Sequence, residues 1–294
     1  MRPNSTPTSF SSESCCLTIG MPVYNGEAFI ADAINSLLTQ TMADFRLLIS
    51  DNCSTDNTEK ICLSFAKKDP RIRYFRHPVN RGAEANFRFV LDCASSPFFM
   101  WAAADDLWST DYLQLAIHHL DSSKFGFCFP TFTVCSIKNG SYKLYPRILF
   151  SFVESPDRKK RIITFLSLHH LSHKCNLVYS CFQTSLLKAA YDLQDISNDG
   201  VLATVILGLS PGYVLDGYRF SKRCLNHVTR RKSRISLLFP RANKDSGFNE
   251  TKKQTESLLF SHFPEYQSEI NHIFSKYRQS WCRRDYIITK VNFD

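Results

Sequence analysis

From Leu17 to Leu120 the chain alternates apolar runs of strand length with amphipathic segments, four times in succession. The first amphipathic segment, 27–41, has apolar residues at three- and four-residue spacing, which place them in one stripe on a helix. The apolar runs lie at 17–23, 45–49, 72–75 and 98–102. Four successive strand–helix units predict an α/β fold, in which a mostly parallel sheet is covered by helices on both faces.

After residue 125 the regular alternation of strands and helices breaks down, which predicts a second half of less regular structure. Helices are also expected in the first half at 54–65, 82–94 and 110–120. Later strands are predicted at 125–135 and 142–145, and later helices at 162–171, 201–209, 256–263 and 266–277. We therefore expect a disordered tail at 1–14, a first half of one domain at 15–125, a second half at 126–235 and a helical carboxyl-terminal extension at 236–294.

Polar residues follow three of the predicted strands at the point where each strand ends. They are the segment Pro22 to Asn25, the segment Asp51 to Ser54, and the pair Asp105 and Asp106. In sheets of this kind ligands bind at the carboxyl ends of the strands. Three motifs at one edge therefore predict a single binding site there.

Asp105 and Asp106 are adjacent carboxylates directly after an apolar strand that begins at Phe98. Two neighbouring negative charges repel each other, and a divalent cation would offset that repulsion. Oxygen ligands favour Mg²⁺ or Mn²⁺ over zinc, and such a cation commonly binds phosphate. The alternative is that one of these acids caps the helix that follows.

Two further acids have both a binding and a structural interpretation. Asp51 can accept a hydrogen bond from an imide N–H such as that of uracil, or it can bond amides of its own turn beside Asp56, which we expect mainly to cap the next helix. Asp199 starts an apolar helix far downstream. It can serve as the base that a transfer to a hydroxyl requires, or as a first-turn acid favoured by the helix dipole.

His227 precedes a basic cluster at 230–234 that could neutralise a leaving diphosphate. A lone histidine is more often structural, and a run of charges is more often a solvated surface. Both interpretations stay open for this segment.

Composition and missing motifs exclude several functional classes. The formal charge of +9 favours anionic partners without choosing among nucleotides, lipid head groups and nucleic acid. The eleven cysteines are scattered without metal-ligand spacing, which indicates reduced, buried thiols in a cytosolic protein. A glycine-rich dinucleotide loop, a phosphate-binding Gly-Lys-Ser/Thr loop and a nucleophile elbow are all missing. No apolar run reaches the length of a membrane span, so any membrane contact would be at the surface.

Four segments resemble the family 2 inverting glycosyltransferases of GT-A fold. They are Met21-Pro-Val-Tyr-Asn-Gly-Glu27, Ile49-Ser-Asp-Asn-Cys-Ser-Thr-Asp-Asn-Thr58, Asn80-Arg-Gly82 and Ala104-Asp-Asp106. The resemblance covers residues 15–125 strongly and the rest of the chain more weakly. The chain departs from the family pattern at Ala103, which occupies the position of the first acid in the usual Asp-x-Asp motif.

The resemblance implies a role for each candidate residue. The nucleotide pocket would be lined by Pro22, Tyr24 and Asn25, with the base bound by Asp51 and a further nucleotide contact from Asn86. Asp105 would ligate the cation, and Asp106 would help it or contact the sugar. Asp199 matches the general base, and His227 is a weaker match to a late histidine near the metal.

The implied function is transfer of a sugar from a nucleotide-diphosphate sugar, with a UDP-sugar favoured, to an acceptor hydroxyl with inversion. Mn²⁺ or Mg²⁺ is the implied cofactor, and the expected acceptor is a glycan or a lipid-linked molecule in polysaccharide biosynthesis. We expect a cytoplasmic protein that binds no nucleic acid, with peripheral contact at the inner face of the membrane as an open option.

Three other functions are alternatives to sugar transfer. A sugar-phosphate nucleotidyltransferase would bring a glycine-rich loop near the first strand, which segment 21–27 lacks. A basic module that binds nucleic acid or a membrane surface would explain the charge alone. A degenerate transferase that only binds its donor would explain Ala103.

Overall fold

The computed structural model describes residues 15–121, 124–137, 140–168, 174–192, 199–224, 257, 260–261 and 263–273. The chain divides into two compact units, Met1–Leu238 and Phe239–Asp294. The tail at 1–14, His227 and the basic cluster at 230–234 lie outside the described residues. Among the helices that are described, none is long and apolar enough to cross a membrane.

The first unit contains nine strands and seven helices within its described residues. Strands β1 to β9 are Leu17–Val23, Phe45–Asp51, Ile72–Arg76, Phe98–Trp101, Leu107–Trp108, Phe127–Ser136, Tyr142–Tyr145, Cys181–Gln183 and Gly212–Cys224. Helices α1 to α7 are Ile30–Leu38, Thr58–Ala66, Ala83–Asp92, Tyr112–Asp121, Arg158–Ser167, Thr184–Asp192 and Asp199–Leu209. Short 3₁₀ helices span Arg147–Leu149, Ser151–Glu154 and Lys174–Tyr179.

All nine strands join one sheet in the order β3-β2-β1-β4-β8-β6-β9-β5, with β7 paired to β6 outside this path. The first four strands are parallel to one another, as the sequence predicted. In the second half β6 and β9 are parallel, whereas β5, β7 and β8 each pair antiparallel with their neighbours. Every residue of β1 is buried, which is typical of a parallel strand covered on both faces.

Helices cover both faces of the amino-terminal half of the sheet. The hydroxyl of Ser50 donates to Asn86 on α3, at an oxygen–oxygen distance of 2.6 Å, so α3 lies on the face that carries Ser50. Successive side chains of a strand point to opposite faces, and the next residue, Asp51, interacts electrostatically with Cys62 on α2. Helix α2 therefore lies on the opposite face from α3.

Helix α3 packs very closely on the central strand β1. A Cβ atom at Gly20 would lie only 2.7 Å from Cγ2 of Val90 on α3. The glycine is therefore required by close approach of the helix to the strand.

Helix α5 begins four residues earlier than the sequence predicted. The basic run Arg158 to Arg161 forms its first turn, and Asp157 caps it by accepting hydrogen bonds from the backbone N–H groups of Lys159 and Lys160. Arg161 is buried and donates to the carbonyl oxygen of Leu207 at 2.7 Å. The last residue of this basic run therefore lies in the protein interior and not on the solvated surface.

Nine cysteines have described side chains, and all nine are free, in agreement with reduced thiols. Only Cys62, Cys128 and Cys181 are buried, and the other six are partly exposed. The prediction of buried thiols was therefore wrong for most of the described cysteines.

The second unit is described for a short segment. Its 3₁₀ helix Pro264–Tyr266 leads into a helix at 267–273, within the predicted range. Phe263, Ile270 and Ile273 are buried there.

Candidate active site

The loop after β1 is fastened to the loop after β2 by hydrogen bonds between neighbouring strand ends. The backbone N–H of Asn25 donates to Oγ of Ser54 at 2.9 Å, and Oδ1 of Asn25 accepts from the N–H of Thr55 at 2.8 Å. Asn25 has a φ of 55°, a left-handed conformation that asparagine tolerates better than most residues. Pro22 is buried beneath the loop, whereas the side chain of Tyr24 is 50 % exposed and faces solvent.

Asp51 ends β2 with a fully buried side chain. One carboxylate oxygen accepts from the backbone N–H of Ser54 at 2.8 Å, and the other accepts from the hydroxyl of Tyr74 at 2.6 Å. Nε of Arg76 lies 3.8 Å from the second oxygen. The local turn bond that the sequence suggested is thus present. Because each carboxylate oxygen can accept more than one bond, a contact with a base stays a prediction.

Asn86 is buried and joins three elements of the amino-terminal half of the sheet, α3, β1 and β2. Its Oδ1 accepts from the Ser50 hydroxyl, and its Nδ2 donates to the backbone carbonyl of Ser50 at 2.9 Å and approaches that of Val23 at 3.5 Å. His77 completes the network, with Nε2 3.1 Å from the same hydroxyl. Burial lowers the pKa of His77 and so favours its neutral form. Asn86 therefore holds α3 against the ends of β1 and β2, and its predicted nucleotide contact stays a prediction.

Asn52 has a role that the sequence did not indicate. Its Nδ2 donates to Oδ1 of Asn80 at 2.9 Å and to the carbonyl of Gly82 at 3.0 Å, while its Oδ1 accepts from the N–H of Arg81 at 2.8 Å. These bonds fix the Asn80-Arg-Gly82 segment beside the end of β2. Its position directly after Asp51 was the available signal.

Asp105 and Asp106 lie in different environments although they are adjacent. Asp105 is exposed, whereas the side chain of Asp106 is fully buried. The pKa of Asp106 is raised to about 6, mainly by burial and also by the charge of Asp105, although Lys222 and the N–H of Arg223 act in the opposite direction. Asp106 is therefore committed to neighbouring groups of the chain, and Asp105 is the acid that faces outward.

Lys222 and Arg223 on β9 supply cations to this acidic pair. Nζ of Lys222 lies 3.5 Å from Oδ2 of Asp106, and the backbone N–H of Arg223 donates to Oδ1 of Asp106 at 2.9 Å. The guanidinium of Arg223 pairs with Asp32 on α1 at 2.8 Å and also binds the carbonyl of Asp105. Strand β9 was not predicted, although its alternating Tyr218 and Phe220 were a signal for it.

Asp199 is brought to the same place from a distant part of the chain. It begins α7, and burial raises its pKa while the charge of Lys222 lowers it. Burial also raises the pKa of Tyr179. The charge of Lys222 lowers this pKa, and the charges of Asp199, Asp106 and Asp105 raise it. Nζ of Lys222 lies 5.1 Å from the centre of the Tyr179 ring. The charges of all three candidate acids therefore act on Tyr179, and Lys222 interacts with both Asp106 and Asp199.

The carboxylates of this site are suited to a divalent cation that is also bound by the phosphates of a substrate. Within the described residues no three His, Cys, Asp or Glu side chains form a metal cluster. Mg²⁺ in phosphate-transfer sites is commonly held by one or two carboxylates together with substrate phosphates. The exposed Asp105 provides one such carboxylate. His227, the other predicted ligand, lies outside the described residues.

Residues 18–182 match the family model described as "Glycosyl transferase family 2", which is more than half of the chain. The chain belongs to the family 2 glycosyltransferases. The resemblance seen in the sequence motifs is thereby confirmed. Membership of this family argues against the two alternative functions, a sugar-phosphate nucleotidyltransferase and a basic binding module.

Curated glycosyltransferases match part of the chain. An Escherichia coli protein named UDP-Glc:alpha-D-GlcNAc-diphosphoundecaprenol beta-1,3-glucosyltransferase WfgD is 32 % identical over 125 residues, which are 42 % of this chain and 48 % of that protein. The dTDP-rhamnosyl transferase RfbG of Shigella flexneri is 34 % identical over 102 residues, 33 % of this chain and 35 % of that protein. The putative teichuronic acid biosynthesis glycosyltransferase TuaG of Bacillus subtilis is 28 % identical over 113 residues, 38 % of this chain and 45 % of that protein. The chain spans about half the length of these relatives or less.

Solved structures share the fold over most of the chain. S. aureus TarS 1–349 aligns with a TM-score of 0.65 at 16 % identity, covering 94 % of this chain and 75 % of that one. Another TarS structure, in complex with UDP-GlcNAc, aligns with a TM-score of 0.63 at 17 % identity, covering 89 % of this chain and 71 % of that one. The mannosyltransferase PcManGT from Pyrobaculum calidifontis, in complex with GDP-Man and Mn²⁺, aligns with a TM-score of 0.51 at 16 % identity, covering 90 % of this chain and 70 % of that one. The predicted GT-A fold is confirmed.

Proposed function

We propose that this chain transfers a sugar from a nucleotide-diphosphate sugar to an acceptor hydroxyl, with inversion at the anomeric carbon. The observation that carries this proposal is the position of Lys222, which lies 3.5 Å from Asp106 and 5.1 Å from the centre of the Tyr179 ring and also interacts electrostatically with Asp199. Acids from two distant segments of the chain thereby act on the same lysine. One of them can serve a leaving diphosphate while another serves an attacking hydroxyl.

Asp199 is the proposed general base. It removes the proton of the acceptor hydroxyl while the hydroxyl oxygen bonds to the anomeric carbon from the face opposite the diphosphate, whose bond to that carbon breaks. Burial raises the pKa of Asp199, which makes its carboxylate a better proton acceptor than an exposed aspartate. The charge of Lys222 acts in the opposite direction and favours the ionised carboxylate.

Asp105 is the proposed ligand of a divalent cation, Mn²⁺ or Mg²⁺, with His227 as a second ligand. When bound, such an ion stabilises the negative charge that develops on the leaving diphosphate. Asp106 is proposed to shape the sugar site from its buried position beside Lys222. In this proposal Asp105 acts on the leaving diphosphate through the cation, whereas Asp106 supports the structure of the sugar site.

The donor is proposed to be a UDP-sugar held at the ends of β1 and β2. Pro22, Tyr24 and Asn25 would line the nucleotide pocket, with Asp51 and Asn86 completing it. Proteins similar to this chain support such a donor, because one is named for UDP-Glc and TarS was solved with UDP-GlcNAc. Another is named for a dTDP-sugar, and thymine offers the same imide N–H as uracil.

The acceptor is proposed to be a glycan or a lipid-linked molecule in polysaccharide biosynthesis. The E. coli relative is named for a diphosphoundecaprenol-linked acceptor and the B. subtilis relative for teichuronic acid biosynthesis. We place the proposed donor half at 15–125, the acceptor half at 126–235 and the helical extension at 236–294. A cytoplasmic protein that contacts the membrane peripherally fits such an acceptor.

The test combines donor binding with replacement of the proposed base. UDP, dTDP, GDP and their sugars are screened by thermal shift with and without Mn²⁺, and we expect UDP compounds with Mn²⁺ to raise the melting temperature most. Asp199→Asn should preserve that shift and lower the transfer rate by about 10³-fold or more, since a positioned base contributes 10²–10⁴-fold. Asp192→Asn is a matched control, because Asp192 is exposed at the end of α6 and pairs with Arg88. Full activity of Asp199→Asn would refute its assignment, and no shift with any nucleotide would refute the donor.

A further inference from the structure

Arg223 lies on β9 beside the turn that carries the acidic pair. Strand β9 pairs antiparallel with β5, and Leu107 lies opposite Ser221. In an antiparallel pair each step forward along one strand is a step back along the other, so the same register brings Asp105 opposite Arg223. Asp105 itself belongs to the short turn between β4 and β5. Strand β9 therefore supplies the neighbour of the proposed cation ligand.

The main chain and the side chain of Arg223 bind both members of the acidic pair. Its backbone N–H donates to Oδ1 of Asp106 at 2.9 Å, and its Nε donates to the backbone carbonyl of Asp105. The bond to Asp105 is made to the main chain, so it fixes the position of this residue without occupying its carboxylate. That carboxylate belongs to an exposed residue, whereas the carboxylate of Asp106 is buried.

The rest of the guanidinium of Arg223 is anchored at the start of α1. Nη1 pairs with Asp32 at 2.8 Å, and Nη2 donates to the backbone carbonyl of Phe29 at 3.1 Å. Cζ lies 5.0 Å from the centre of the Phe29 ring, and the side chain of Arg223 is only 12 % exposed. Three nitrogens thus bind three acceptors in two separate segments, an arrangement that the single nitrogen of lysine does not reproduce.

We propose that Arg223 is a positioning residue that holds Asp105 in place to bind the divalent cation. This inference rests on the proposed function, in which Asp105 ligates that cation. Replacing a group that orients a metal ligand commonly lowers metal affinity by about 10–100-fold. The positive charge of Arg223, in contrast, disfavours a nearby cation. Roles through position and through charge therefore predict opposite effects of removing the side chain.

The first experiment measures Mn²⁺ binding to the full chain in the presence of UDP, from the electron paramagnetic resonance signal of free Mn²⁺. Arg223→Met removes the guanidinium and its charge, and we expect it to weaken Mn²⁺ binding at least about tenfold. Arg223→Lys should also weaken binding although the charge is kept, because the three contacts are not restored. Unchanged or stronger binding of Mn²⁺ by Arg223→Met would overturn the inference.

Arg219→Met is the matched control for a general effect on the fold. Arg219 also lies on β9, and its guanidinium pairs with Asp111 at 2.6 Å. Its replacement removes an ion pair of the same strand without touching the acidic pair. We expect a lower melting temperature with unchanged Mn²⁺ binding. If Arg219→Met weakens Mn²⁺ binding as much as Arg223→Met does, the loss is a general effect and the inference is wrong.

A double-mutant cycle with Asp32 tests whether the anchor on α1 acts through Arg223. Asp32→Ala should weaken Mn²⁺ binding in the native chain, because the guanidinium loses an acceptor that holds it. The same substitution should have little effect in Arg223→Met, where no guanidinium is present. Equal effects in the two backgrounds would show that Asp32 acts by its own charge and would contradict the inference.

Asp105→Asn distinguishes failure of the proposed function from failure of this inference. If this variant binds Mn²⁺ as well as the native chain, or if the native chain binds none, Asp105 is not the cation ligand and both proposals fail. If Asp105→Asn loses Mn²⁺ binding while both Arg223 variants keep it, the proposed ligand stands and only the role of Arg223 is refuted.

Discussion

At the scale of single residues, the acidic pair shows how one sequence motif is divided by burial. Asp105 is exposed, and Asp106 is enclosed with Lys222 3.5 Å away. Removing a carboxylate from water costs free energy that a nearby cation returns only in part. The pKa of Asp106 is therefore raised, because the effect of burial is larger than the opposing effect of Lys222.

Asp106 should give the folded protein a distinctive pH dependence. Its pKa rises from 3.8 to about 6 on folding, so the folded state binds the extra proton between these values and loses stability as pH rises through them. Two pH units correspond to about 2–3 kcal/mol. Asp106→Asn keeps an acceptor for the Arg223 N–H, so denaturant unfolding should show the variant gaining up to that amount relative to the native chain between pH 4 and pH 7. If the difference in unfolding free energy between the variant and the native chain stays constant over this range, the pKa of Asp106 is not raised on folding.

At the scale of elements, the parallel strands and their helices were largely predictable, because buried runs and amphipathic stripes are local signals. Strands β1 and β7 have their predicted limits, and the other predicted strands differ by one or two residues at an end. Strands β5, β8 and β9 were missed. The first two have only two and three residues, and the local alternation in β9 is short, so its extent depends on pairing with β6 and β5.

The loop ends of these elements depend on a few buried amides, and Asn52 is the clearest case. Asn52→Ala removes three hydrogen bonds to the segment Asn80 to Gly82, and we expect it to cost about 1–3 kcal/mol of unfolding free energy. Donor affinity should fall as well, because that segment borders the proposed pocket. Asn57→Ala is the control, since its exposed amide bonds only Glu27 among the described contacts. Equal stability and equal thermal shift with UDP in both variants would show that Asn52 does not hold the loop.

At the scale of the whole molecule, the buried thiols report on global opening. Burial raises the pKa of Cys62, Cys128 and Cys181, and thiolate is the reactive form. We expect these three to be labelled by N-ethylmaleimide at least about 100-fold more slowly than the partly exposed Cys53, as read by peptide mass spectrometry, because labelling requires opening of the core. In denaturant all eleven cysteines should be labelled. Fewer than eleven would reveal a disulfide and contradict the reduced state.

The sequence alone determined the fold class, the family resemblance and the identity of most candidate site residues, because those features are written in local periodicity and in short motifs at strand ends. Only the tertiary structure decided which of them meet. Asp199, at the start of α7, comes within electrostatic range of Lys222, and Lys222 reaches Asp106 from a strand that is distant from it in sequence. The structure also decided that Asp106 is enclosed while its neighbour faces outward. Burial and charge pairing depend on contacts between segments that lie far apart in the chain, and a linear pattern does not contain them.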